Sequence, residues 1–180
     1  MDLVAGRPLL SELLPQVLWP TDLTTLDVDA MVIRETTHRF SRLSFHRSMV
    51  GRRMPLLFTA SGRAYLSFCP GSEREQLIAM LASKDGEEGE KARDPGYIRR
   101  IVAATREQGY GANLGEWNPE SRFAAIALPI MHNDRVYGCL NLVYMAKAMR
   151  PHEAASRYLE KMKATIAKIE KGLDRVESDG

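Results

Sequence analysis

The chain has 180 residues, 44% of them hydrophobic and 27% charged, with a formal net charge of +2. A single domain of this size buries a full core without a metal or disulfide staple. The balance excludes wholesale disorder, and no apolar run approaches the roughly 18 residues that a membrane span needs. The first 20 residues do not read as a secretion signal, because Asp2, Arg7 and Glu12 interrupt the leucine pairs. A cytoplasmic location and no membrane partner are therefore expected. Cys69 and Cys139 have neither zinc nor CxxC spacing and are expected to be buried small hydrophobes. His38, His46, His132 and His152 share no ligand spacing. With no HExxH, GxSxG, Walker or GxGxxG pattern, no metal, cofactor or catalyst is expected.

In chain order, Leu9, Leu10, Leu13, Leu14, Val17 and Leu18 recur at helical spacing, so 7–18 is an amphipathic helix that Pro15 kinks or shortens. Residues 22–26 and 30–36 are rich in Thr, Val and Ile around Asp27-Val28-Asp29, which predicts a β-hairpin. The segment 38–55 is irregular and basic, with one strand at most. A helix over 61–68 ends at Cys69-Pro70-Gly71, and Ser72 caps the next, with Leu77, Ile78 and Leu81 as its buried stripe. Residues 84–94 are a charged loop. Pro95 opens a helix that Gly109 terminates. A short strand and loop at 110–117 precede two apolar strands, 123–131 and 136–144, around a turn at His132–Arg135. Pro151 starts a final helix whose Ala155, Leu159, Met162, Ile166, Ile169 and Leu173 form a seam for packing on a sheet or on another helix. The order predicts an α+β fold, an antiparallel sheet with helices on both faces. The helices at 61, 72 and 95 should share one face, the terminal helices the other.

Between Thr36 and Ser72 there is no acid, but there are six arginines, Arg39, Arg42, Arg47, Arg52, Arg53 and Arg63. Such a segment favours an anionic partner. The alternative is that folding brings acids from elsewhere opposite these arginines. Because apolar residues interleave the arginines, a small amphipathic acid suits the segment better than a phosphate backbone.

Val50-Gly51-Arg52-Arg53-Met54-Pro55-Leu56, then Thr59-Ala60-Ser61-Gly62-Arg63-Ala64-Tyr65-Leu66, Gly109-Tyr110, Ile126-Ala127-Leu128-Pro129-Ile130 and residues 138–143 occur in that order. Over about residues 9–169 this pattern resembles the effector-binding domain of IclR-type bacterial transcriptional regulators. Trp19-Pro20-Thr21-Asp22-Leu23 and Ile33-Arg34-Glu35-Thr36-Thr37 resemble the branch that activates catabolism of aromatic acids. The resemblance implies a GAF-like sheet and a sensor rather than an enzyme. It implies a small organic acid effector, homodimers or homotetramers, and DNA contact only through a winged helix-turn-helix that these residues do not contain. On that basis 1–20 is a helix left from the linker to that missing domain, and 21–175 is the effector-binding domain.

Thr59, Ala60, Ser61 and Gly62 put small side chains at a helix start, where unpaired N–H groups face an anion. The alternative is that Thr59 or Ser61 is only an N-cap and Gly62 a packing glycine. Asn141, strongly polar in an apolar strand, must find a partner in the protein or a ligand. The resemblance adds that Asn141 and Val143 stand where the family often has two effector-touching serines, which points to a larger, less polar effector. Asn113 stands near the family's usual acid, which removes a repulsion toward an anion. Ala125 replaces a usual cysteine and opens volume for a ring. Met54 adapts to a ring edge, and Arg52 is a further candidate for the carboxylate. On the residues alone, a thiol-based enzyme and a structural dimerisation domain remain alternatives.

Overall fold

The computed structural model describes residues 6–44 and 49–178. His46 and Arg47 lie outside them. Two hairpins supply most of the sheet. β1 (Thr21–Asp27) pairs with β2 (Ala30–Thr36), and β5 (Phe123–His132) pairs with β6 (Arg135–Met145). The second hairpin turns at Asn133 and Asp134, both left-handed with φ of 50° and 59°. Asn and Asp tolerate that conformation, and it matches the twist of the flanking strands. Short β3 (Arg53–Pro55) and β4 (Gly111–Leu114) form the edges. The order is β3-β2-β1-β6-β5-β4, antiparallel throughout, so the first and last long strands meet at the centre. That closure buries the apolar backs of both hairpins at once.

Side chains alternate across a strand, and the sheet divides its core accordingly. On one face Leu23, Ile126, Leu128, Leu140 and Leu142 pack under α1 (Gly6–Val17) and α6 (Pro151–Ser178). The two terminal helices also touch each other, with Lys161 Nζ donating to the Gln16 carbonyl at 3.2 Å. On the other face Met31, Ile33, Ala125, Ala127 and Cys139 meet α2 (Ala60–Phe68). Around α2 lie α3 (Gly71–Ala82), α4 (Glu87–Ala92) and α5 (Pro95–Gln108). No described helix is long and apolar enough to cross a membrane.

Helix ends differ from expectation at two places. Thr59 caps α2, its Oγ1 accepting from Gly62 N–H, so the helix starts at Ala60. Pro70 occupies the cap position of α3, and Ser72 falls in its first turn. Asp94 caps α5 through Gly96 and Tyr97 N–H, while Gly109 ends it at φ 85°, as the sequence suggests.

The segment 84–94 contains α4 rather than a loop alone, because Glu88 turns inward and accepts the Leu57 N–H at 3.0 Å. Burial pushes the Glu88 carboxyl above its ordinary range, against the lowering by that N–H. A carboxyl raised in the folded state holds its proton longer there, so stability falls as pH rises from the unfolded value through the raised one. Glu88→Gln keeps an acceptor and has no charge to desolvate. It is expected to flatten the decline above about pH 4.5, measured as urea midpoint against pH. An unchanged profile would refute this origin.

Gly111 lets β4 approach α2. A Cβ there would lie 2.1 Å from the Ala60 carbonyl oxygen, a backbone atom that cannot swing aside. Gly111→Ala is expected to destabilise by about 1–3 kcal/mol through overpacking. Chemical denaturation should show a lower midpoint with an unchanged slope.

Candidate functional site

α2 is nine residues long and covers only part of its face of the sheet. Its start is anchored over β1 and β6, where Thr24 Oγ1 donates to Ser61 Oγ at 3.2 Å and Cys139 Sγ approaches the Ser61 carbonyl at 3.5 Å. Beyond that start, Asp22, Asn141, Val143, Ala125 and Asn113 are left uncovered by the helix and floor a cavity of about 520 Å³, its open mouth included. Ile33, Met49, Met54 and Phe123 supply apolar walls, and Thr59 and Ala60 the helix edge.

All but Ser61 and Gly62 of the residues expected at the effector site meet at this cavity. Thr59, Ala60, Asn113, Ala125, Asn141, Val143, Met54 and Arg52 line it. Ser61 does not. Fully buried, it faces Thr24, because the second residue of the helix rotates toward the sheet. The amides at the helix start are also less free than expected. Ala60 N–H donates to Asn113 Oδ1 at 3.1 Å, and Gly62 N–H to Thr59 Oγ1 at 3.2 Å. With its oxygen committed to Ala60, the Asn113 amide keeps its Nδ2 as the donor.

Arg52 sits at the rim, its side chain 29% exposed, and pairs with Glu120 in a very short contact. Its guanidinium lies 4.8 Å from the Trp117 ring centroid. Arg53 pairs with Asp27 at 2.6 Å and Asp29 at 2.9 Å. Arg63 reaches Glu116 at 3.2 Å and the carbonyls of Leu57 and Ala112. For these arginines the second reading of the acid-free segment holds: acids distant in sequence fold opposite them.

The inner end is polar and joins Asn141 to Asp22 and His38, two residues not among the sequence candidates. Asp22 is 1% exposed, His38 3% and Asn141 4%. Asp22 Oδ1 accepts from Thr36 Oγ1 at 2.6 Å, and Asp22 Oδ2 lies 3.5 Å from Asn141 Nδ2. His38 Nδ1 meets Ser44 Oγ at 2.6 Å, while Nε2 stands 3.5 Å from Asp22 Oδ1 without forming a hydrogen bond. Asp22 carried a usable signal, an acid on the same strand face as Thr24. His38, in an irregular segment, carried none.

The thiols are poorly suited to nucleophilic work. Cys69 and Cys139 are buried, and desolvation raises both, Cys69 to about 11.

An antiparallel sheet holding an apolar cavity with polar ends makes a small-molecule binding site. Residues 3–171 match the family model described as bacterial transcriptional regulator IclR C-terminal, and the chain belongs to that family. Its members are transcriptional regulators, not enzymes. The probable transcriptional regulator SauR of Cupriavidus necator is 30% identical over 129 residues, 72% of this chain and 50% of the relative. The chain thus spans about half the length of that curated relative. Among solved structures, a double mutant of the inducer-binding domain of PobR from Acinetobacter, in complex with 3-hydroxybenzoic acid, is 18% identical. It covers 94% of this chain and 98% of its own, with a TM-score of 0.76. An IclR homologue from Microbacterium hydrocarbonoxydans complexed with 4-hydroxybenzoate is 21% identical, with a TM-score of 0.73. That match covers 93% of this chain and 66% of the homologue. Both share the fold.

Proposed function

We propose that the cavity binds a small aromatic carboxylate and that this binding controls DNA association of a larger regulator. The observation that carries the reading is the cavity's two-ended construction: an apolar slot with polar groups at the α2 start and at β1. β1 and β4 are three strand spacings apart, roughly 14 Å, with side chains reaching in from both. A single substituted ring fits that span, and Ala125 leaves the floor flat. The carboxylate sits at the α2 end, facing Asn113 Nδ2, the positive helix terminus and the Arg52 guanidinium. The aromatic acids named with the two structural neighbours support this class.

In this reading residues 21–175 form the sensing unit, and α1 leads to a winged helix-turn-helix supplied by the longer regulator. The regulator acts as a homodimer or homotetramer in the cytoplasm. Burial of α1 side chains Leu10, Leu13 and Val17 against the sensor core supports a stiff connection.

A thermal-shift panel of benzoate, its 3- and 4-hydroxy derivatives and short aliphatic acids tests the reading. At about 100 times Kd a ligand stabilises by ~2.7 kcal/mol, which for a domain this size is a rise of roughly 5–10 °C. The aromatic acids are expected to give it. A response confined to the aliphatic acids, or no response, would count against the aromatic class. Arg52→Ala should weaken benzoate binding about tenfold by calorimetry, the scale of one charge-assisted contact.

A further inference from the structure

We infer that Asp22, Asn141 and His38 form a donor-reading subsite, which favours an effector whose far end carries a hydrogen-bond donor, a ring hydroxyl or amino group, over one whose far end brings only acceptors. The inference rests on the reading of the cavity as the effector site and adds which substituent that site prefers. Nothing in the family match or in the names of the relatives assigns these three residues.

Hydrogen-bonding valences at the inner end are left unfilled. Asp22 Oδ1 is occupied by the Thr36 hydroxyl at 2.6 Å. Asp22 Oδ2 has only the long 3.5 Å contact from Asn141 Nδ2. Asn141 Oδ1 is buried and accepts nothing among the described residues. Register places the two side by side, Asp22 on β1 opposite Asn141 on β6. The nearest cation of the cavity lining, Arg52, is engaged by Glu120 at the rim. Asp22 and Asn141 both belong to the cavity lining, so two under-used acceptor oxygens stand beside it, one of them on a carboxylate. A buried acceptor left unpaired is expensive, and a site built to pair it rejects a ligand that cannot.

His38 closes the subsite from the side. Its Nδ1 contact to Ser44 Oγ holds the ring, and Nε2 points toward Asp22 with no hydrogen bond of its own. A hydroxyl donating to Asp22 Oδ2 or Asn141 Oδ1 keeps its own lone pairs for an N–H from this ring. An ether, a nitro group or a second carboxylate brings only lone pairs to the same oxygens.

Calorimetric titration of 3- and 4-hydroxybenzoate, 3- and 4-aminobenzoate, and the matching methoxybenzoates decides the matter. In the wild type the better hydroxy or amino isomer is expected to bind at least tenfold more tightly than its methoxy counterpart. In Asp22→Asn and Asn141→Leu that ratio should fall below about threefold. Both variants are used because Asp22 also receives Thr36, and either one that keeps a cooperative melt gives the answer. Equal binding of hydroxy and methoxy acids by the wild type, or a ratio unchanged in both variants, overturns the subsite while leaving the effector reading standing. Failure of every acid, benzoate included, to bind the wild type overturns the effector reading and the subsite with it.

Discussion

Ala125→Leu is expected to cut the thermal stabilisation by hydroxybenzoates to about half or less and to weaken their binding by about 10–100-fold. Ala125 is 6% exposed and sits in the middle of the cavity floor, paired across β5 with Asn113 on β4 and Val143 on β6. It lies between Asn113 at the α2 end and β6, the strand that carries Asn141. The three added carbons occupy ring volume, and forcing a ligand against them costs the ~1–3 kcal/mol of an overpacked contact, which sets the fold-change. The unliganded domain should keep its melting temperature within a few degrees, because the new side chain enters space and displaces no neighbour. Calorimetry on the variant, with circular dichroism as a fold control, checks both halves. Undiminished affinity would place the ligand elsewhere.

The second large effect is on stability. Tyr144→Ala is expected to destabilise the domain by about 3–5 kcal/mol, the range for truncating a large aromatic in a core. Tyr144 is among the largest fully buried side chains and packs with α1 and α6 on the face opposite the cavity. Trp19 meets it edge to face at 6.3 Å between centroids. The melting temperature should drop by roughly 6–20 °C. Tyr144→Phe is the informative companion. The hydroxyl is buried with no protein partner among the described residues, and burial raises its pKa. Removing it should change stability by less than about 1 kcal/mol. A large loss in the Phe variant would mean that the hydroxyl has a partner after all. Ligand affinity should be untouched in the Phe variant, since Tyr144 does not line the cavity.

Each face of the molecule was legible to a different degree. The strands at 123–131 and 136–144 declared themselves through unbroken apolar character, and Asn133-Asp134 through turn chemistry. The Asp94, Pro95 and Gly109 signals bracket α5 because capping is a local property of adjacent residues. Thr59 as the α2 cap was visible only as one of two alternatives, since Ser61 has the same chemistry. Rotation of the helix against the sheet separated them, turning Thr59 to the cavity and Ser61 to Thr24. Helix α4 was hidden in a run of charges. What folds it down is Glu88 reaching a backbone N–H that lies 31 positions away in the chain.

The sequence by itself determined the α+β class, the antiparallel hairpins, the face of each terminal helix and the family. It also named half of the cavity lining, because small residues at a helix start and a polar residue in an apolar strand are recorded locally, while Asn113, Ala125 and Val143 came from the family resemblance. Tertiary structure alone decided the charges. Arg52, Arg53 and Arg63 looked like a surface for an anion, yet long-range folding sets Glu120, Asp27, Asp29 and Glu116 against them. It alone decided that Asp22 and Asn141 face each other, 119 positions apart, with His38 beside them. The reason is that strand periodicity tells which face a side chain takes but not which strand lies next to it. The pairing of β1 with β6 is a property of the closed sheet, and it is that pairing which places a carboxylate at the inner end of the cavity.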